Sequence, residues 1–146
     1  MGHGEIKART DGIRAAWASL AARFALPFDG SEQDWPWQVA DASRFDEFIA
    51  AAADDLTSGE RHELMEILVQ CVDDLLIQPS DAGEAAWARI EPLLRANAIL
   101  HDGTIVYWAC LESTLEDACV VAARMRVLAS DCGLLSTPVR PDGVPR

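Results

Sequence analysis

The chain has 146 residues, half of them hydrophobic, and 24 acidic against 12 basic residues give it a net charge of −12. That length suits one domain with a core that needs no disulfide or metal, and that composition excludes general disorder. The charge opposes binding to nucleic acid or to anionic membranes, and it suits a basic protein partner. No apolar run approaches the ~20 residues needed to cross a bilayer. The opening MGHGEIKARTDG lacks the apolar segment of a signal peptide. A cytoplasmic location is the expectation.

Residues 5–25 read as a first helix, with Ile13, Trp17, Leu20, Ala21 and Phe24 at helical spacing and Pro27 closing it. The segment PFDGSEQDWPWQV reads as a loop, with turn residues Asp29 and Gly30. A second helix is expected from Asp41 or Ser43 to about Asp55, burying Phe45, Phe48, Ile49 and Ala52. Asp54 and Asp55 oppose the dipole at its C-terminal end, which predicts fraying.

Thr57–Gln78 carries the strongest helix signal. Leu64, Ile67, Leu68, Cys71, Val72, Leu75 and Leu76 form one apolar stripe, and Glu63, Glu66, Gln70, Asp73 and Asp74 fall on the other side. Thr57 with Glu60 is a capping box, and Pro79 stops the helix. The rest of the fold is expected to pack around it.

Asp81 with Glu84 marks the start of a fourth helix running to about Asn97, with Trp87, Ile90, Leu93 and Leu94 inward and Pro92 as an internal kink or break. Residues 102–112 have strand-forming composition, yet Ile105, Trp108, Ala109 and Glu112 also fit helical spacing. A lone strand would have no partner, so helix is the reading. Ser113 with Glu116 caps a last helix, roughly Thr114–Ser130, whose apolar middle ACVVAA should be buried. The fold class is therefore all-α: a single-domain bundle of about five to six helices over 1–132, with a Pro- and Gly-containing tail over 133–146 that wraps the surface or is disordered.

His62-Glu63-Leu64-Met65-Glu66 resembles the HExxH zinc helix only in part, because the second histidine is replaced by Glu66. No third ligand is evident, so a solvated first turn is preferred to a metal site. The four cysteines, Cys71, Cys110, Cys119 and Cys132, form no CxxC pair and lack zinc spacing. They read as small buried hydrophobes with reduced thiols, whose burial would raise their pKa and make them poor nucleophiles. His101 reads as a capping or structural residue. There is no GxSxG, no Walker loop and no GxGxxG. Neither a catalytic residue nor a cofactor is expected, and the chain reads as a non-enzyme. The basic spots at Arg124/Arg126 and Arg140/Arg146 are too few to form a nucleic-acid surface.

Five Trp is a high count for this length. Trp17, Trp87 and Trp108 fit core positions. Trp35 and Trp37 either plug the core from a loop, the preferred reading, or anchor an interface. The acidic residues Glu63, Glu66, Asp73 and Asp74 have few basic residues four positions away to pair with. Such a single-sign stripe is easier to understand under a basic partner. The candidate partner-binding residues are thus Glu63, Glu66, Asp73, Asp74, Trp35 and Trp37.

ELMEILVQCVDDLL, WARIEPLL, LHDGTIVYWA and EDACVVAARMR, over about Glu60 to Arg126, together resemble small acidic helical immunity proteins encoded beside bacterial polymorphic toxins. The resemblance implies a cytoplasmic, cofactor-free inhibitor that binds a toxin domain stoichiometrically. The alternatives are a helical regulatory or adaptor protein, homodimeric in one version, and a small metal-binding enzyme built around His62 and Glu66.

Overall fold

The computed structural model describes residues 3–135, with side-chain environments from Arg9 onward. Among the described residues it is all-α, with seven α-helices, two 3-10 turns and no strand. The expected tail at 136–146 lies outside the described residues. Backbone contacts gather the chain into two compact units, Met1–Gln70 and Cys71–Arg146.

In the first unit, α1 (His3–Phe24) buries Ala16, Trp17, Leu20, Ala21 and Phe24. Ile13, expected on the same stripe, is 38% exposed and lines a cleft. The helix ends without a glycine. Ala25 takes the left-handed conformation at φ 54, and Leu26 N–H donates to the Ala21 carbonyl at 2.9 Å. This is a Schellman closure that Gly would make at lower cost. Arg44 secures it by donating to the Phe24 carbonyl at 2.6 Å.

The expected loop contains a short helix, α2 (Trp35–Val39). Pro36 is compatible with it because the first helical turn needs no N–H from that residue. The Asp34 carbonyl accepts from both Trp37 and Gln38 N–H at 3.1 Å.

The expected second helix is three pieces: a 3-10 turn Ala42–Arg44, α3 (Phe45–Ala50) and a second 3-10 turn Ala51–Ala53. Asp41 caps the first, its side chain accepting from Ser43 N–H at 3.0 Å. Phe45, Phe48 and Ile49 are buried, and Phe48 meets Phe24 edge-on at 5.0 Å. Ala52 is only partly covered. The carboxylates at the C-terminal end do not leave it loose. Arg61 donates to the Ala52 and Asp54 carbonyls at 2.9 and 2.8 Å, and Arg23 pairs with Asp54 at 2.7 Å.

The capping box forms as expected at the start of α4 (Ser58–Ile77). Thr57 N–H donates to Glu60 Oε1 at 3.0 Å, and Glu60 N–H donates to Thr57 Oγ1 at 3.1 Å. Leu64, Ile67, Leu68, Cys71 and Val72 are buried, while Leu75 and Leu76 are only partly covered. The two-faced pattern is incomplete, because Met65, Val69, Glu63 and Asp73 are buried as well. Through its middle the helix is covered on nearly every side, so its carboxylates need partners inside the protein.

The second unit contains the end of α4 and then α5 (Ala82–Ala96), α6 (Asp102–Ala109) and α7 (Ala122–Asp131). A Cβ on Gly83 would lie 2.7 Å from the Leu76 backbone, so only glycine permits α5 to start this close to α4. The Asp81 side chain makes no cap hydrogen bond; instead Ala82 N–H donates to Ser80 Oγ at 3.3 Å, and Glu84 pairs with Arg124. The helix continues through Pro92, which lies on its exposed side with Ala88, the residue whose carbonyl loses its helical donor. Trp87, Ile90 and Leu94 are buried, and Leu93 is half-buried.

Residues 102–109 are helical, burying Thr104, Ile105, Trp108 and Ala109. His101 is buried at the head of this helix but makes no side-chain cap bond. The last helix is shorter than expected. Residues 114–121 are turns, with Asp117 rather than Glu116 facing Thr114, and helix begins only at Ala122. Of the apolar run, Val121 and Ala122 are buried, while Val120 is 43% exposed.

The expected basic spot at Arg126 is not on the surface. Arg126 is 2% exposed and donates to the carbonyls of Ala109, Cys110 and Ser113 at 2.7, 2.6 and 2.6 Å. It is a cation on the C-terminal end of α6, where unpaired carbonyls and the helix dipole both favour positive charge.

Candidate functional site: an acidic cleft walled by tryptophan

The first unit holds a cavity of about 430 Å³ between α1, α2 and the first turns of α4. Thr10, Ile13, Arg14 and Trp17 come from α1; Gln33, Asp34, Pro36 and Trp37 from α2 and its approach; His62, Glu63 and Glu66 from α4. The helical repeat explains the grouping, since positions 10, 13, 14 and 17 share one face, as do 62, 63 and 66.

Glu63 is the best-held carboxylate. It is 7% exposed, accepts from Trp17 Nε1 at 2.5 Å through Oε1, and meets His62 Nδ1 at 2.5 Å through Oε2. Trp37 Nε1 donates to Glu66 Oε2 at 3.0 Å. Each indole therefore orients one carboxylate. The cleft's own guanidinium, Arg14, lies 5.9 Å from the Trp17 ring centroid and donates to the Gly30 carbonyl. Three carboxylates, Asp34, Glu63 and Glu66, face this one guanidinium, so the cleft favours cations. The Trp37 indole adds a π-face on which an ammonium or guanidinium group can rest, while that of Trp17 already carries Arg14.

The six predicted partner residues divide. Trp37, Glu63 and Glu66 line the cleft. Trp35 is fully buried beneath it, donates to the Pro27 carbonyl at 2.7 Å and packs against Trp17 and Phe28; it is a core plug and not an exposed anchor. Asp73 and Asp74 belong to the second unit. The continuous exposed stripe of Glu63, Glu66, Asp73 and Asp74 is thus absent, because Glu63 and Asp73 are buried. Residues that the sequence reading missed at the cleft are Arg14, Gln33, Asp34 and Ile13. Only their helical spacing against Trp17 could have signalled the first and last.

Asp73 has a structural task. It accepts from Val121 N–H at 2.9 Å, holding the chain where it enters α7. Burial pushes its pKa above the ordinary carboxylate value, the Val121 N–H opposing this and the Asp74 charge adding to it. A raised folded-state value means that its favourable contribution is fully present below the unfolded pKa. That contribution is lost as pH rises through the folded value. Asp73→Asn keeps an acceptor and removes the charge. It should be at least as stable as wild type in urea denaturation at pH 7, with the advantage shrinking toward pH 4. Asp73→Ala should lose about 1–3 kcal/mol by orphaning the Val121 N–H. An Asn variant far weaker than wild type at pH 7 would contradict the assignment.

Among the described residues no three His, Cys, Asp or Glu side chains are grouped to hold a metal ion, and no helix is long and apolar enough to cross a membrane. Comparison with protein-family models, curated proteins and solved structures finds no match.

Proposed function

We propose that this protein is a stoichiometric inhibitor of the immunity type, which binds a basic protein partner by taking one of its Lys or Arg side chains into the acidic tryptophan cleft. The carrying observation is the pairing of Trp17 with Glu63 and Trp37 with Glu66 in one cavity. Carboxylates already oriented by indole N–H groups lose little freedom when a cation arrives, and the low-dielectric walls strengthen the contact. The overall charge of −12 would steer a basic partner toward the protein. A toxin domain as that partner, acting in the cytoplasm, follows from the sequence resemblance. No catalytic step and no cofactor is needed.

The test is co-expression with the product of the neighbouring gene, scored by rescue of growth and by affinity of the purified pair at low and high salt. Glu66→Lys should keep the helical circular dichroism, since Glu66 is only partly covered. It should weaken binding about 30-fold or more, the effect of removing a desolvated charge contact worth about 2–5 kcal/mol. Unchanged affinity at low salt would take the cleft out of the interface. A second reading, a helical adaptor or homodimer, is favoured by exposed apolar side chains in the second unit: Ile99 at 89%, Tyr107 at 59% and Leu111 at 41%. Sedimentation equilibrium separates it, because a dimer would form without any partner.

A further inference from the structure

Cys110 and Cys119 are nine residues apart, and their Sγ atoms are 3.1 Å from each other. Both thiols also lie near one acceptor, the Trp108 carbonyl, at 3.6 and 3.5 Å. The approach is built into the fold. Cys110 is the left-handed C-cap of α6 at φ 50, which turns the chain back after Ala109. Arg126 grips the Cys110 and Ser113 carbonyls, and Asp73 holds Val121 N–H just beyond Cys119. The segment between the thiols is thus fixed at both ends. Closing the contact to a covalent bond of about 2.05 Å needs an approach of about 1 Å.

We propose that Cys110 and Cys119 form a peroxide-sensitive dithiol, a modification site at which this segment is locked by a reversible intrachain disulfide. Burial, followed by the Cys110 neighbour and Asp73, pushes the Cys119 thiol up to about 12, so Cys119 is a poor first nucleophile and takes the second, resolving step. The Cys110 sulfur bonds to one peroxide oxygen, the O–O bond breaks, and the departing hydroxide takes the Cys110 proton to become water. Cys119 sulfur then displaces the hydroxyl of the resulting sulfenic acid. The S–S bond forms, the S–O bond breaks, and the Cys119 proton leaves with the hydroxide as a second water. Two thiols lose two electrons and one peroxide gains them. A dithiol reductant reverses the step by exchange. In a reducing compartment the pair rests as free thiols.

The experiment treats the native full chain with hydrogen peroxide, blocks remaining thiols under denaturing conditions, and maps peptides by mass spectrometry. The expected product links Cys110 to Cys119, with Cys71 and Cys132 still blocked as thiols and with dithiothreitol restoring all four. Cys71 is fully buried and serves as the internal reference. In Cys119→Ser, a conservative change, the Cys110 sulfenic acid should persist and be trapped by dimedone. In urea the preference for this pair should fall by tenfold or more, since the fold supplies it. Oxidation of Cys132 at an equal rate, accumulation of sulfinic acid without a disulfide, or an equal preference in urea would each overturn the proposal.

Discussion

Leu68→Asp is expected to leave the chain without a cooperative unfolding transition. Leu68 is 1% exposed, and its neighbours along α4, Leu64, Met65, Ile67, Val69, Cys71 and Val72, are buried as well. A carboxylate there would be buried away from water. Leu68→Ala calibrates the result. It removes buried methyl groups and leaves a cavity, at about 2–5 kcal/mol. Domains of this size are stable by about 5–15 kcal/mol, so Ala should lower the melting temperature and still fold. Asp adds the cost of burying a charge to the loss of the same apolar contacts, which exceeds what remains. Thermal melts followed by circular dichroism measure both. An Asp variant melting like wild type would mean that α4 is not the helix on which the core depends.

α4 was legible because its signals are local. The spacing of Leu64, Ile67, Leu68, Cys71 and Val72 needs only the 3.6-residue repeat, and the Thr57–Glu60 box closes within one turn. Glu63 and Asp73 were misread as solvated because what buries them is remote. Glu63 depends on an indole 46 residues away, and Asp73 on an N–H 48 residues away. A carboxylate with no nearby basic residue looks solvated when its partner is a neutral N–H. The cleft was half legible for the same reason. Trp37, Glu63 and Glu66 could be singled out by residue type, but Gln33 and Asp34 join them only through the packing of α2 against α4. The thiol pair escaped because a nine-residue separation fits no helical face. It requires the left-handed turn at Cys110, which no glycine announces.

The helix ends show the same limit, and three of the eleven Arg side chains are used at them. Arg44 closes α1 at the Phe24 carbonyl, Arg61 closes the 3-10 turn after α3 at Ala52 and Asp54, and Arg126 closes α6 at Ala109, Cys110 and Ser113. At Arg61 and Arg126 the carbonyls are met by donors spread over a planar fork, which guanidinium supplies and a single ammonium does not. Glycine, the usual signal at a helix end, is missing from the left-handed positions at Ala25 and Cys110.

Arg126 carries the most of the three, being 2% exposed and making three carbonyl contacts. Arg126→Met keeps much of the buried volume and removes every donor. The Ala109, Cys110 and Ser113 carbonyls would then lose their charge-assisted bonds, at a cost of about 3–5 kcal/mol after the relief of no longer burying a cation. Arg126→Lys should recover only part of that loss, because one ammonium cannot match the three contacts in this geometry. Arg124→Met is the control. Its pair with Glu84 is more open to solvent, and an exposed pair is worth about 1 kcal/mol or less. Urea denaturation of the three variants gives the ranking, and hydrogen exchange at the amides of 105–113 shows whether α6 is what opens. If Arg126→Met matched Arg124→Met, or if the amides of α6 stayed protected, the guanidinium would be a passenger in the core and not the cap of that helix.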